Sequence, residues 1–160
     1  MNKLIKIVQY KIQHYNPKKY WKYRSKFLSS NTKILKLYYL YKIKKMDAFN
    51  NASMGTNFDK SASFKSPPIL PHGLNGIIVS QHSKIGENVC IYHQVTIGSK
   101  DDKTAPTIGN NVIIYPGAKI IGNIKIGDNS IIGANSVVTN SFPNNSISAG
   151  VPAKVIKERK

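Results

Sequence analysis

The sequence predicts a mainly β chain folded as a parallel β-helix, preceded by a short basic helical segment. Three observations carry this expectation. Small or β-branched aliphatics recur every six residues at Val79, Ile85, Ile91 and Ile97, then at Ile108, Ile114, Ile120, Ile126, Ile132 and Val138. A second small or apolar residue follows four places after every one of these but Ile97, from Ser83 and Val89 through Val112 and Ala118 to Ser136 and Phe142. Glycine follows the aliphatic directly at positions 86, 98, 109, 127 and 133. Hexapeptide periodicity of this kind marks stacked strand-and-corner units. No coil of such a solenoid buries its own apolar face, so several must stack. A sandwich strand alternating at period two would not repeat a lead aliphatic at every sixth position. In each hexad the lead aliphatic points inward, and Gly or Asn turns the corner where a positive φ is needed.

Charge divides the chain into residues 1–46, a basic amphipathic helical segment, and residues 47–160, the β-helix domain. Net charge is +17, yet residues 1–46 hold thirteen Lys and Arg with no acid, while residues 47–160 hold eleven bases and seven acids. From Lys3 to His14 the residues Leu4, Ile5, Ile7, Val8 and Ile12 fit one helical face. Pro17 interrupts, and Lys18 to Phe27 mixes bases with Tyr20, Trp21 and Tyr23. A further helix is expected from Ser30 or Asn31, either of which can cap it, to Lys45. Three readings suit this segment: helices covering the open end of the solenoid with their Lys heads in water, docking on an anionic membrane surface, or nucleic-acid binding. Composition does not separate them, and nucleic acid is the least favoured.

Met54-Gly55 looks like an early hexad whose spacing then breaks through Asp59, Phe64, Pro67 and Pro68, as an outer coil with a protruding loop would. Ile97 and Ile108 stand eleven apart, so one hexad carries five extra residues in the polar stretch Ser99–Thr107, with Lys100, Asp101, Asp102 and Lys103. A polar excursion from a rigid scaffold is where a binding loop is expected. Cys90 is the single cysteine, which excludes an internal disulfide and reads as a structural thiol. The sequence has no apolar run long enough for a transmembrane helix and no evident secretory signal, so a cytoplasmic location is expected, peripheral at the inner membrane face if the basic segment docks there.

The motifs His72…Gly76-Ile77-Ile78-Val79, Ile91-Tyr92-His93-Gln94-Val95-Thr96-Ile97-Gly98, Gly122-Asn123-Ile124 and Ala149-Gly150-Val151-Pro152-Ala153 resemble the hexapeptide-repeat acyltransferases of the left-handed β-helix type. The nearest groups are the serine O-acetyltransferases and the bacterial sugar or capsular-polysaccharide O-acetyltransferases. The resemblance runs from about Asp47 to Lys154. It supplies the left-handed coil, since the rule for parallel crossovers favours the other hand. It implies acetyl-CoA as acyl donor and no metal. It also implies His72 as general base, an imidazole able to take a proton from an alcohol as that alcohol attacks the thioester. In serine acetyltransferases an Asp orients this His. Asp47, eight residues before Gly55, matches its spacing, with Asp59 the second choice. The resemblance places coenzyme A between subunits of a homotrimer, along Gly98, Gly117, Ala118, Ala134, Gly150 and Pro152. Lys154, Lys157 or Arg159 would then meet its phosphates.

One departure bears on the acceptor. Where serine acetyltransferases carry Arg-His-Pro, this chain reads Thr104-Ala105-Pro106, and the short basic helices replace their large helical domain. Both points favour a sugar or polysaccharide hydroxyl, with serine O-acetylation the alternative. The γ-type carbonic anhydrases build a zinc site on this fold with a His-x4-His pair. His72, His82 and His93 are ten and eleven apart and form no such pair. His82 and His93 read as packing or surface residues, although His93 is able to reach the site from a neighbouring coil.

Overall fold

The hexads stack into a parallel β-helix behind three helices, in a computed structural model that describes residues 3–101 and 103–159. Asp102, expected in the insertion, lies outside the described residues. The first face of the solenoid holds Ser53–Met54, Ile78–Val79, Thr96–Gly98, Lys119–Ile121 and Val137–Val138. The second holds Ser63–Phe64, Lys84–Ile85, Thr107–Ile108 and Lys125–Ile126. Cys90–Ile91, Ile113–Ile114, Ile131–Ile132 and Ser146–Gly150 make the third, and Ala153–Glu158 closes it by folding back antiparallel on Ser146–Gly150. Parallel partners such as Ile78 and Thr96, or Thr107 and Lys125, are one coil of three hexads apart. Across the insertion Thr96 pairs with Lys119 instead, so the extra residues bulge out and the register is kept.

Every lead aliphatic from Val79 to Val138 is buried, none more than 2% exposed, and these side chains form the column that fills the solenoid. Met54 occupies the same place in the outer coil, where Ser53–Met54 pairs with Ile78–Val79, Ser63–Phe64 with Lys84–Ile85, and Ile69 bridges Cys90. The corners differ in one respect from the sequence expectation. Left-handed backbone falls on Asn88, Asn111, Asn129 and Asn145 at one corner, and not on the glycines that follow the aliphatics. Those asparagines also bond one another, Asn88 Nδ2 to Asn111 Oδ1 at 3.3 Å, Asn111 to Asn129 at 3.0 Å and Asn129 to Asn145 at 3.1 Å. Asn tolerates this region because its short amide bonds locally. Glycines 86 and 109 serve close approach: a Cβ on Gly86 would stand 2.8 Å from the Asn110 nitrogen, and one on Gly109 2.8 Å from the Asp128 nitrogen.

Helix α1 runs Lys3–Ile12, α2 Pro17–Ser29 and α3 Lys33–Phe49. Pro17 thus begins a helix: it sits at the first helical position, where a missing N–H is harmless, and the Asn16 side chain caps it by accepting from the Lys19 N–H at 3.0 Å. Helix α3 starts after Thr32 and passes the composition boundary at residues 46 and 47, ending at Asn50, whose Nδ2 donates to the Met46 and Gln13 carbonyls at 2.8 and 3.1 Å. Tyr20, Arg24 and Phe27 of α2 and Ile43 and Asp47 of α3 are buried toward the outer coil. Arg24 joins the layers, donating to the Met54 carbonyl at 3.1 Å, the Ala62 carbonyl at 2.5 Å and the Thr56 hydroxyl. Trp21 packs edge-on to Phe64 with centroids 5.1 Å apart. The helices therefore cover the open end of the solenoid. Their outer faces leave Ile5, Val8 and Ile12 of α1 and Ile34, Leu37 and Tyr41 of α3 exposed. Among the described residues no helix is long and apolar enough to cross a membrane.

Candidate active site at one corner of the solenoid

The chain passes from the third face to the first through Leu70–Gly76 in the outer coil and through Tyr92–Val95 in the next. Ile69 bridges Cys90, so the chain enters the two corners in register and His72 falls over His93, before the three extra residues of the outer corner. The imidazoles meet, Nδ1 to Nδ1, at 2.6 Å, with ring centroids 4.7 Å apart. Tyr92 stands edge-on to His72 at 5.6 Å and stacks on Tyr115 of the following coil at 5.3 Å. His72 is exposed and His93 half-buried, so one imidazole faces solvent and the other is held behind it. Backbone bonds fix the lower corner: the Gln94 N–H donates to the Asn75 carbonyl at 2.9 Å, and the His93 carbonyl accepts from the Gly117 N–H at 3.1 Å.

Asp47 does not join this pair. Its Oδ1 accepts from the Tyr20 hydroxyl at 2.8 Å, and no hydrogen bond or ion pair links it to His72 among the described residues. Asp47 is 2% exposed. Burial pushes its carboxyl up from 3.8 to about 6, against the opposing pull of the Tyr20 hydroxyl, Lys44, the Met54 N–H and Arg24. The Met54 N–H acts without reaching hydrogen-bond geometry, since Oδ2 has no hydrogen-bond partner among the described residues. A spacing of eight residues before a glycine thus places this carboxylate between α2 and α3. Asp59 is an exposed loop residue.

The residues expected along coenzyme A separate into two groups. Gly117 and Ala134 follow His72 and His93 along the same corner, since the Asn135 N–H donates to the Pro116 carbonyl at 2.9 Å. Gly150, Pro152 and Lys154 continue the line at the tip where the last strand folds back, and are exposed. Ala118 adjoins them, but its side chain is buried and it offers a ligand no surface. Gly98 lies across the first face at the other corner. His82 is also at that corner, 3.3 Å from the Gln81 amide, together with the insertion. There the Asp101 carboxylate, held below its usual range by the Lys103 and Thr104 N–H groups and the Thr104 hydroxyl, ties the loop upon itself. Lys157 and Arg159 lie at the far end of the last strand, where Arg159 donates to the Asn129 carbonyl at 3.2 Å. No group of three metal-ligating side chains occurs among the described residues. Burial raises the Cys90 thiol, as suits a packing residue.

The sequence reads His93 as a packing or surface residue able to reach the site from a neighbouring coil, and the structure sets it against His72. Both lie at the same offset from residues that bridge, Ile69 and Cys90, but the outer coil is irregular in length and hides that register.

A parallel solenoid of hexads with an imidazole pair at one corner defines a class of hexapeptide-repeat proteins with acid–base chemistry at a coil edge. Comparison with known proteins fixes the family. Residues 105–140 match the pattern described as bacterial transferase hexapeptide (six repeats). A serine acetyltransferase of Staphylococcus xylosus is 45% identical over 92 residues, covering 56% of this chain and 42% of that protein. The crystal structure of a Brucella abortus strain S19 serine acetyltransferase in complex with coenzyme A superposes with TM-score 0.69 at 31% identity, covering 89% of this chain and 53% of that one. That of a Neisseria gonorrhoeae serine acetyltransferase in complex with serine superposes with TM-score 0.63 at 30% identity, covering 76% and 49%. The chain spans about half the length of the relatives it matches, and it belongs to the hexapeptide-repeat transferase family.

These likenesses overturn the expected sugar or polysaccharide acceptor, and with it a part in polysaccharide biosynthesis. The relatives are serine acetyltransferases, and one structure holds serine. The segment that suggested otherwise, Thr104-Ala105-Pro106, turns on Asp101 and buries Ala105 and Pro106. Its sequence reports how the loop packs and says little about an acceptor.

Proposed function

We propose that this chain transfers an acetyl group from acetyl-CoA to the hydroxyl of serine, with His72 as general base. The observation that carries the reading is an exposed imidazole, set at a corner by a rigid stack of coils, in a chain similar to serine acetyltransferases. The serine hydroxyl proton passes to His72 as the hydroxyl oxygen attacks the thioester carbonyl. The carbon–sulfur bond then breaks, and the departing coenzyme A sulfur recovers the proton from the imidazolium. A positioned base of this kind contributes roughly 10²- to 10⁴-fold. Coenzyme A would lie along the corner past Gly117 and Ala134 toward Gly150, Pro152 and Lys154. Four coil steps at about 4.8 Å give that edge a length of roughly 19 Å, suited to an extended pantetheine arm. Assembly as a homotrimer belongs to the same proposal. The test is thiol release from acetyl-CoA with L-serine and with L-alanine, which lacks the hydroxyl. Release with serine alone supports the reading, and equal release with both overturns it.

The helical segment carries a second part of the proposal, docking on an anionic lipid surface. Ile12 and Ile34 are 69% and 76% exposed, beside the exposed bases Lys6, Lys11 and Lys33. Exposed apolar residues among Lys favour lipid over nucleic acid, because a phosphate backbone needs the charges alone.

A further inference from the structure

The stacked imidazoles point to a role for His93 that rests on His72 being the base. At 2.6 Å between Nδ1 atoms, two neutral imidazoles share one proton on that line, because each neutral ring has one N–H and one bare nitrogen. Two arrangements follow. If His93 donates, His72 carries its own proton on Nε2 and has no lone pair for a hydroxyl. If His72 donates from Nδ1, its Nε2 is bare, on a residue that is exposed. Which nitrogen holds the proton is set by the partner of the other.

We infer that His93 is a positioning residue: its Nδ1 accepts the His72 Nδ1–H and keeps Nε2 of His72 free as the base. The surroundings support this assignment. His93 is anchored through its carbonyl to the Gly117 N–H, and the next residue through its N–H to the Asn75 carbonyl, so its ring is presented from a fixed backbone. Tyr92, itself stacked on Tyr115, stands edge-on to His72 and limits rotation of that ring. The carboxylate that spacing suggested for this task is bonded to Tyr20. Once His72 has taken the hydroxyl proton it carries N–H on both nitrogens, and His93 still accepts from Nδ1. One acceptor therefore serves both protonation states of the base.

The test pairs His93→Ala with His93→Gln, whose side-chain oxygen restores an acceptor without titrating. Imidazole nitrogen NMR of the whole chain reads the tautomer of His72 directly, and steady-state kinetics with acetyl-CoA and L-serine reads the consequence. The wild type should show His72 as the Nδ1–H tautomer. His93→Ala should shift it to Nε2–H and lower kcat roughly 10- to 100-fold, a part of what a positioned base supplies, with KM for acetyl-CoA unchanged. His93→Gln should return most of both. An unaltered tautomer together with wild-type kcat in His93→Ala overturns the inference, as does a wild type in which His72 is protonated on Nε2. A tautomer that shifts as expected in a protein that acetylates no serine upholds the positioning role and overturns the proposed reaction.

Discussion

Replacing Asp47 by Asn separates a structural carboxylate from a catalytic one. Asn keeps an oxygen for the Tyr20 hydroxyl, 2.8 Å away, and removes a group that titrates. Burial raises the Asp47 carboxyl from 3.8 to about 6. Between those values the folded state holds a proton that the unfolded chain has released, so the wild type loses stability as pH rises through the window. At about 1.4 kcal/mol per pK unit, the full loss is about 3 kcal/mol, of which about 2 kcal/mol falls between pH 4.5 and 7.5. Asp47→Asn has no such dependence. Urea unfolding of both proteins should therefore show the variant gaining on the wild type by about 2 kcal/mol across that interval, whatever constant offset the amide introduces. Its kcat with serine should stay within about threefold of wild type, since Asp47 makes no contact with His72. A pH-independent difference would refute the buried-acid account. A loss of a hundredfold or more in kcat with the fold intact would return Asp47 to the catalytic pair.

Three further outcomes follow from the packing and the surface. Gly109→Ala forces a Cβ to within 2.8 Å of the Asp128 nitrogen and should destabilise by about 1–3 kcal/mol, read as a lower melting temperature. Asn111→Ala breaks two side-chain bonds of the asparagine ladder and puts alanine at φ 55°. It should cost about 1–2 kcal/mol, and Asn111→Gly should recover the backbone share. Changing Lys6, Lys11 and Lys33 to Gln should weaken sedimentation with anionic vesicles roughly 100-fold, at about 1 kcal/mol per base, and spare serine acetylation. Unchanged sedimentation would remove the docking proposal.

The solenoid was legible because its physics is local and periodic: each inward position repeats the same burial, so the ten aliphatics from Val79 to Val138 all announce the core. The helices were less so. Pro17 reads as an interruption until Asn16 is seen to cap the helix behind it, and Arg24 reads as one surface base among many until Met54, Thr56 and Ala62 receive it. Trp21 suited any of the three readings of its segment, and the structure packs it on Phe64. At the candidate site, His72 stood out by its motif and His93 stood as a residue able to reach it from a neighbouring coil, whereas their contact depended on the register between an irregular outer coil and the first regular one. Spacing along the chain selected Asp47, and only the folded arrangement shows that α3 carries it to Tyr20.

The most direct test of the central claim is acetyl transfer by wild type and His72→Ala, measured as O-acetylserine formed from acetyl-CoA and L-serine, with coenzyme A affinity measured separately by calorimetry. The account predicts serine-dependent product in the wild type, a loss of at least about 10²-fold in His72→Ala, and equal coenzyme A affinity in both. Wild-type turnover in His72→Ala, or no serine-dependent product from the intact chain, would contradict it.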